Sequence, residues 1–289
     1  MKPLVTIQCI VYNHSAFLKQ TLDGFVMQKT TFPFEAIVHD DKSTDDSADI
    51  IKAYAETYPD IIIPIFETEN QYSKHDGSLE RIMENATKGR YVAVCEGDDY
   101  WTDPYKLQKQ YDFMEKNPDY VMCYHNAFSD AGIYRGLEIN PSERSHQMTH
   151  KELLSGWTIP TPTVFYRQEA YKQVEHSKAY VNDDYALELR LASQGKVYYD
   201  DSIMSAYRRH HVGISAQLNS DKADMFQKLI DLLQDLRVLF PNTDQPLFDE
   251  AIKRYQKQKD KIIREQLHPW LRYSHKNYYK KLIKRLLHL

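Results

Sequence analysis

Short apolar runs, each closed by a polar turn and followed by an amphipathic stretch, repeat through the first hundred residues. Residues 4–11 (LVTIQCIV), 34–39 (FEAIVH), 61–66 and 91–95 (YVAVC) read as strands, the last as a buried central one. Between them, Phe17, Leu18, Leu22, Phe25 and Val26 recur at helical spacing and predict a helix over 16–28, with Ser15 as its cap. A second helix is expected over about 45–58, capped by Ser43 or Thr44, and a third near 78–87. Alternation of this kind predicts βαβ units in an α/β domain with a mostly parallel sheet flanked by helices.

The pattern continues less regularly. A helix is expected from Pro104 to about 116, capped by Thr102 or Asp103, then a strand over 120–128 and a polar loop or hairpin over 129–145. A short helix over 149–155 precedes a rigid connector, 157–162, and a short strand over 163–166. Helices follow near 168–175 and over 182–194, then two short strands, 196–199 and 202–208. Beyond 215 the pattern is helical, broken at Pro241, Pro246 and Pro269. The expected organisation is a domain over 1–215 and a helical C-terminal extension over 216–289.

Charge sharpens that division. The net charge is −4, yet from Ile252 onward twelve Lys/Arg face two Asp/Glu. Residues 276–289 place Tyr279, Leu282, Ile283, Leu286 and Leu287 on one helical face and bases largely elsewhere. Such a helix suits an anionic membrane surface, or docking on the body or on a second subunit of a homo-oligomer. Nucleic acid is not expected, because the basic region has no readable binding fold. Cys9, Cys95 and Cys123 lie in apolar runs without CxxC spacing, as reduced core residues of a cytoplasmic protein do. The chain enters a strand at once, without a signal-peptide pattern, and no run approaches the length of a spanning helix.

Acids gather where strands end. Asp40-Asp41 close the second run, and Glu96-Gly97-Asp98-Asp99 the fourth. Such crowding is costly without a cation, and hard oxygen ligands suit Mg²⁺ or Mn²⁺ with phosphates as further ligands. An acidic turn in solvent is the plainer reading of either alone. Two acidic ends of one parallel sheet share an edge, however, and so a crevice. Asp183-Asp184 open a helix, as caps do, and Arg208-Arg209-His210-His211 end a strand with cations fit for phosphate oxygens. A glycine-rich dinucleotide turn after the first strand, a GxxxxGK[ST] loop, GxSxG and HExxH are all absent from the sequence.

Five motifs in order resemble family 2 glycosyltransferases, the inverting nucleotide-sugar enzymes of GT-A, Rossmann-like fold: Tyr12-Asn13, the 40–47 turn DDKSTDDS, Glu96-Gly97-Asp98-Asp99, Asp183-Asp184, and Tyr207-Arg208-Arg209-His210 with Ser215. The resemblance spans roughly residues 2–215. It implies that Tyr12 and Asn13, with Asp40 or Asp41, hold the nucleoside base. It places Glu96 near the ribose, Asp98 and Asp99 on Mn²⁺ or Mg²⁺, and Arg208 and His210 at the pyrophosphate or metal. Asp184 becomes the catalytic base, with Asp183 as second choice, and Trp157, Thr161 and Thr163 lie toward the acceptor. Lys42 stands where the family usually has a small residue, and Glu96 where it has Asp. The loop beginning Glu69-Asn70-Gln71-Tyr72 corresponds to one that often carries a nucleotide-contacting arginine, for which Arg81 is the nearest candidate here.

The implied function is metal-dependent, inverting transfer from a nucleoside-diphosphate sugar, UDP favoured, to a saccharide or lipid-linked acceptor in surface polysaccharide or glycolipid synthesis. The location would be cytoplasmic, peripheral on the inner membrane face. A sugar-phosphate nucleotidyltransferase and a non-catalytic nucleotide-sugar-binding or membrane scaffold are the alternatives.

Overall fold

Strand β1 (Val5–Val11) lies at the centre of the sheet, and its Val5, Ile7, Cys9 and Val11 side chains are completely buried. It pairs in parallel with β2 (Phe34–Asp40) on one side and β4 (Tyr91–Val94) on the other. β3 (Ile62–Phe66) pairs in parallel with β2. The chain thus runs outward through helix α1 (Ser15–Val26), β2, α2 (Ser47–Thr57) and β3, then crosses back through α3 (Ser78–Ala86) to β4. That reversal opens a crevice at the carboxyl ends of β1 and β4. Leu18, Leu22 and Phe25 of α1 pack into the same cluster as the β1 side chains.

The computed structural model describes residues 2–131, 134–141, 143–156, 158–172, 183–210 and 222–267. Trp157, the expected boundary at 215/216 and the basic tail over 276–289 lie outside them. Two compact units are present, Met1–His210 and His211–Leu289. The first continues with β5 (Tyr100–Trp101), α4 (Lys106–Lys116), β6 (Tyr120–Ala131), β7 (Tyr134–Glu138), β8 (His146–Met148), α5 (His150–Leu153), β9 (Phe165–Arg167), α6 (Gln168–Lys172), α7 (Asp183–Ala192) and β10 (Lys196–Arg208). The sheet has ten strands in the order β3-β2-β1-β4-β9-β6-β10-β5, with β7 beside β6 and β8 beside β10. β1 to β4, β6 and β10 run one way, and β5, β7, β8 and β9 the other. The architecture is mixed α/β: six of the ten strands share a direction, with the parallel pairings at β1–β4 and between β6 and β10. In the second unit, α8 (Lys222–Leu236) and α9 (Gln245–Leu267) bury Leu229, Leu233, Phe248 and Ala251.

Several local expectations are corrected. β10 is one strand with register shifts at 200–205 rather than two strands, because irregular pairing with β6 carries it past its polar middle. Pro246 is the second residue of α9 and does not break it, since the first turn of a helix needs no proline N–H. α4 begins at Lys106, and Asp103 Oδ1 accepts from the Tyr105 N–H just ahead of it. The caps of α1 and α2 are not Ser15 and Ser43 or Thr44: His14 and Asp46 hold those positions without side-chain capping bonds.

The start of α1 is instead capped from the turn after β2. The N–H groups of Asn13, His14 and Ser15 donate to Ser43 Oγ (2.9 Å), Ser47 Oγ (3.0 Å) and Asp45 Oδ2 (2.9 Å). In return Asn13 Oδ1 accepts from the Thr44 N–H at 2.7 Å. Asn13 (φ 57°) and Lys42 (φ 66°) both adopt the left-handed region to make this junction. At such a φ glycine, or Asn or Asp, is the easier choice at position 42, because the cost lies in the Cβ. Burial pushes the Asp45 carboxyl up, but hydrogen bonds from Ser47 and Ser15 prevail and hold it at about 2.

A depressed carboxyl contributes stability that is present above its ordinary pKa and lost as pH falls through the folded value. Asp45→Ala should therefore lower the unfolding free energy by ~1 kcal/mol at neutral pH. In urea titrations that difference should shrink as the pH is lowered toward 2.

Candidate active site

The carboxyl edge of the sheet gathers the acids in one crevice. Asp40 ends β2, Glu96 to Asp99 follow β4, and Arg208 ends β10. Gly97 brings the turn close under β1: a Cβ there would lie 2.7 Å from His14 Nδ1 and 2.9 Å from Val11 Cγ2. Thr21 of α1 fixes the same turn, its hydroxyl facing the carbonyls of Gly97 (2.9 Å) and Asp99 (2.6 Å).

The acids differ sharply in what they already hold. Asp41 is almost fully buried; its oxygens accept from the N–H groups of Gln71 (2.6 Å) and Tyr72 (3.0 Å), fastening the loop after β3. Asp99, also buried, accepts from the Arg208 N–H at 2.7 Å, and its other oxygen has no partner. Burial and the charge of Asp98 raise its carboxyl well above the usual range. Asp40 accepts a longer bond from the Ser43 N–H at 3.3 Å, leaving Oδ1 buried and without a partner. Beside this edge the Tyr12 ring is 46% exposed.

Asp98 faces two imidazoles. His210 Nε2 lies 2.8 Å from Asp98 Oδ2, and His14 Nε2 lies 3.8 Å from the same oxygen. Burial would raise Asp98, but the His210 hydrogen bond and the two neighbouring imidazoles hold it below the usual range. Burial lowers His14, against the pull of Asp98, so its imidazole favours the neutral, ligating form. The His210 ring packs on Phe17 at 4.7 Å. A carboxylate oxygen with imidazole nitrogens suits Mn²⁺, and a cation that keeps water and phosphate oxygens needs few protein ligands. Among the described residues, no group of three or more His, Cys, Asp or Glu is arranged to hold an ion alone. The set therefore fits a cation shared with a phosphorylated ligand.

Glu96 has no such compensation. Burial, then the charges of Asp98 and Asp184, push its carboxyl up to about 8. Asp184 heads α7, where its Oδ1 accepts from the Tyr185 N–H (3.0 Å) and its Oδ2 from the Thr161 hydroxyl (3.4 Å). Tyr72 is raised by burial and by Asp183, Glu96 and Asp184, which places the loop after β3 against the same acids.

Two residues are more committed internally than the sequence suggested. The Arg208 guanidinium lies over Tyr100 (4.3 Å) and Phe17 (5.1 Å) and donates to Asp98 O and Gln20 Oε1. Thr163 is completely buried and donates to Pro160 O at 2.7 Å, so of the two threonines it is Thr161 that meets the acids. Asn13 serves the junction between β1 and β2 described above. His14, Thr21 and Tyr72 were not singled out by sequence; His14 lies within the strand-end tetrapeptide 12–15, where its neighbours were the only signal.

Comparisons with known proteins bear on the family and the fold. The sequence model described as "Glycosyl transferase family 2" matches residues 6–175. The uncharacterized protein Rv1520 of Mycobacterium tuberculosis is 33% identical over 227 residues, 77% of this chain; the chain spans only 64% of that relative's length. The Escherichia coli UDP-Glc:alpha-D-GlcNAc-diphosphoundecaprenol beta-1,3-glucosyltransferase WfaP is 28% identical over 229 residues, covering 78% of this chain and 83% of that protein. Among solved structures, Staphylococcus aureus TarS 1-349 in complex with UDP-GlcNAc superposes with a TM-score of 0.67 at 16% identity, covering 89% of this chain and 72% of that one. The Pyrobaculum calidifontis mannosyltransferase PcManGT, in complex with GDP-Man and Mn²⁺, gives 0.60 at 15% identity, covering 97% and 83%. The chain belongs to glycosyl transferase family 2 and has its GT-A fold.

Proposed function

We propose that this chain is a metal-dependent, inverting glycosyltransferase that moves a sugar from a nucleoside-diphosphate sugar to a hydroxyl acceptor. The observation that carries the reading is the gathering of Glu96, Asp98 and Asp184, where burial first, and then the charges of Asp98 and Asp184, push Glu96 up to about 8. Similarity to WfaP, a glucosyltransferase acting from UDP-Glc, favours a UDP-sugar and a role in surface polysaccharide or glycolipid synthesis.

The residues divide the work as follows. The exposed Tyr12 ring offers a stacking face for the base, and the unpartnered Asp40 Oδ1 can accept an imide N–H of uracil. Glu96, whose carboxyl burial and its acidic neighbours push up to about 8, would pair with the ribose hydroxyls. Asp98, with His210 and the neutral His14, would hold Mn²⁺ or Mg²⁺. When bound, the cation neutralises the charge that grows on the diphosphate leaving group. Asp99 and Arg208 support that turn from behind, and Asp41 supports the loop after β3.

Asp184 takes the proton from the acceptor hydroxyl as its oxygen bonds to the anomeric carbon and the bond to phosphate breaks on the opposite face. Thr161 orients the carboxylate by its hydrogen bond. One base suffices for direct displacement, and the anomeric centre inverts. Asp183, the adjacent carboxylate at the start of α7, is the second choice for this role.

Asp184→Asn should reduce release of UDP from a UDP-sugar by ~10²-fold or more, while the donor-induced rise in melting temperature survives. Loss of that rise would assign Asp184 to binding or structure instead. Mn²⁺ with UDP should raise the melting temperature of the wild-type chain, and EDTA should cancel the gain. Asp98→Asn should lose the Mn²⁺-dependent part; a shift equal to wild type would remove Asp98 from the metal site. The basic tail suggests attachment to an anionic membrane, and no described helix is long and apolar enough to cross one. Full-length protein should float with phosphatidylglycerol liposomes, and protein truncated before residue 276 should not.

A further inference from the structure

Lys106 is the first residue of α4, and its side chain is completely buried. Lysine is almost never fully buried unless paired, yet among the described residues no carboxylate forms an ion pair with it. Its Nζ donates to Gln110 Oε1 at 2.8 Å and stands 4.0 Å above the centre of the Trp101 ring. Burial draws it down to about 7, opposed by the nearby thiols of Cys95 and Cys123. An apolar residue of similar length would satisfy the core more cheaply.

Both partners of Lys106 reach the same turn. Gln110 Nε2 donates to Thr163 O at 2.9 Å, and Trp101 Nε1 donates to Pro162 O at 2.9 Å. In its ammonium form Lys106 has donors only, and it then dictates which way the Gln110 amide faces. With Oε1 turned to Nζ, the Nε2 group must point to Thr163 O. Two successive carbonyls of the turn are thereby fixed from beneath. One residue earlier, Thr161 places its hydroxyl 3.4 Å from Asp184 Oδ2, at the long limit of a hydrogen bond, where a small displacement breaks it.

We propose that Lys106 is a positioning residue for sugar transfer: through Gln110 and Trp101 it sets the turn of residues 160–163, and so the Thr161 hydroxyl that orients Asp184. The inference rests on Asp184 being the base. It assigns the buried cation to the geometry of the acceptor side and not to donor binding, which takes place at the ends of β1, β2 and β4. Misplacing a reacting group by about 1 Å can cost 10²-fold, so a distant core substitution can be felt in turnover alone.

The test is a double-mutant cycle on the full chain, reading UDP release from UDP-glucose with Mn²⁺, together with melting temperature. Lys106→Met should melt at or near the wild-type temperature, keep the donor KM within about twofold and lower kcat about tenfold or more. Thr161→Val should do the same, and the double variant should be no slower than the slower single one, because both act through one contact. A Lys106→Met protein with wild-type kcat, or a double variant whose loss is the product of the single losses, overturns the proposal. If Lys106→Met gives no cooperative melt, Trp101→Phe replaces it in the cycle under the same two criteria, since it deletes the donation to Pro162 O while keeping an aromatic ring at that place in the core. Asp184→Asn separates the two layers. Turnover retained in that variant overturns the assignment of the base and this inference with it. Turnover lost there but unchanged in Lys106→Met overturns this inference alone.

Discussion

Mutual repulsion among carboxylates brought to one edge of one sheet is the constraint that the site is built around. Asp40, Asp41, Asp45, Glu96, Asp98 and Asp99 all follow β2 or β4, strands that flank β1 in parallel. Folding has to place each of them in a partly desolvated environment. Most are stabilised by donors from the chain itself: backbone N–H groups for Asp41, Asp45 and Asp99, and imidazoles for Asp98. Glu96 and one inner oxygen each of Asp40 and Asp99 have no such donor. The acids therefore separate into those that hold the crevice together and those left with capacity for a ligand, and the separation follows hydrogen-bond accounting rather than position in the motif.

The same accounting explains what was legible in the sequence. The runs that became β1, β2 and β4 were readable because a central parallel strand is apolar on both faces, and the shared edge followed from their direction. The order of acidic motifs was readable as well. The division of labour was not: Asp40 and Asp41 are neighbours of identical chemistry, and only the position of the loop after β3 decides which one is consumed. Lys106 was invisible for a related reason, since a lysine in the first turn of an amphipathic helix reads as solvated. β5 has two residues and so no period to detect, yet it pairs with β10 at Ala206 and Ser205 and helps bring Arg208 to the β4 turn. β9 runs against its neighbours, and its Arg167 is buried and donates to Tyr120 O, the Tyr91 hydroxyl and Met114 O. No local pattern announces those partners.

At 16% identity and a TM-score of 0.67, TarS 1-349 shares the fold while most residues differ. Here the strand ends are held by a few specific contacts, among them the junction of Asn13 with Thr44 and the two hydrogen bonds that Asp41 accepts from the loop. Core packing supplies the bulk of the stability, and these contacts supply the register.

The double acceptance by Asp41 also bears on how fast a ligand can enter. A loop that must order itself around an incoming molecule makes its lost freedom part of the binding free energy and slows association. Residues 70–72 are anchored to the end of β2 during folding, by Gln71 and Tyr72 N–H groups and by Asn70 Nδ2 to Asp41 O. One wall of the proposed donor pocket therefore stands ready in the free protein. Entry past this wall would not wait for residues 70–72 to become ordered.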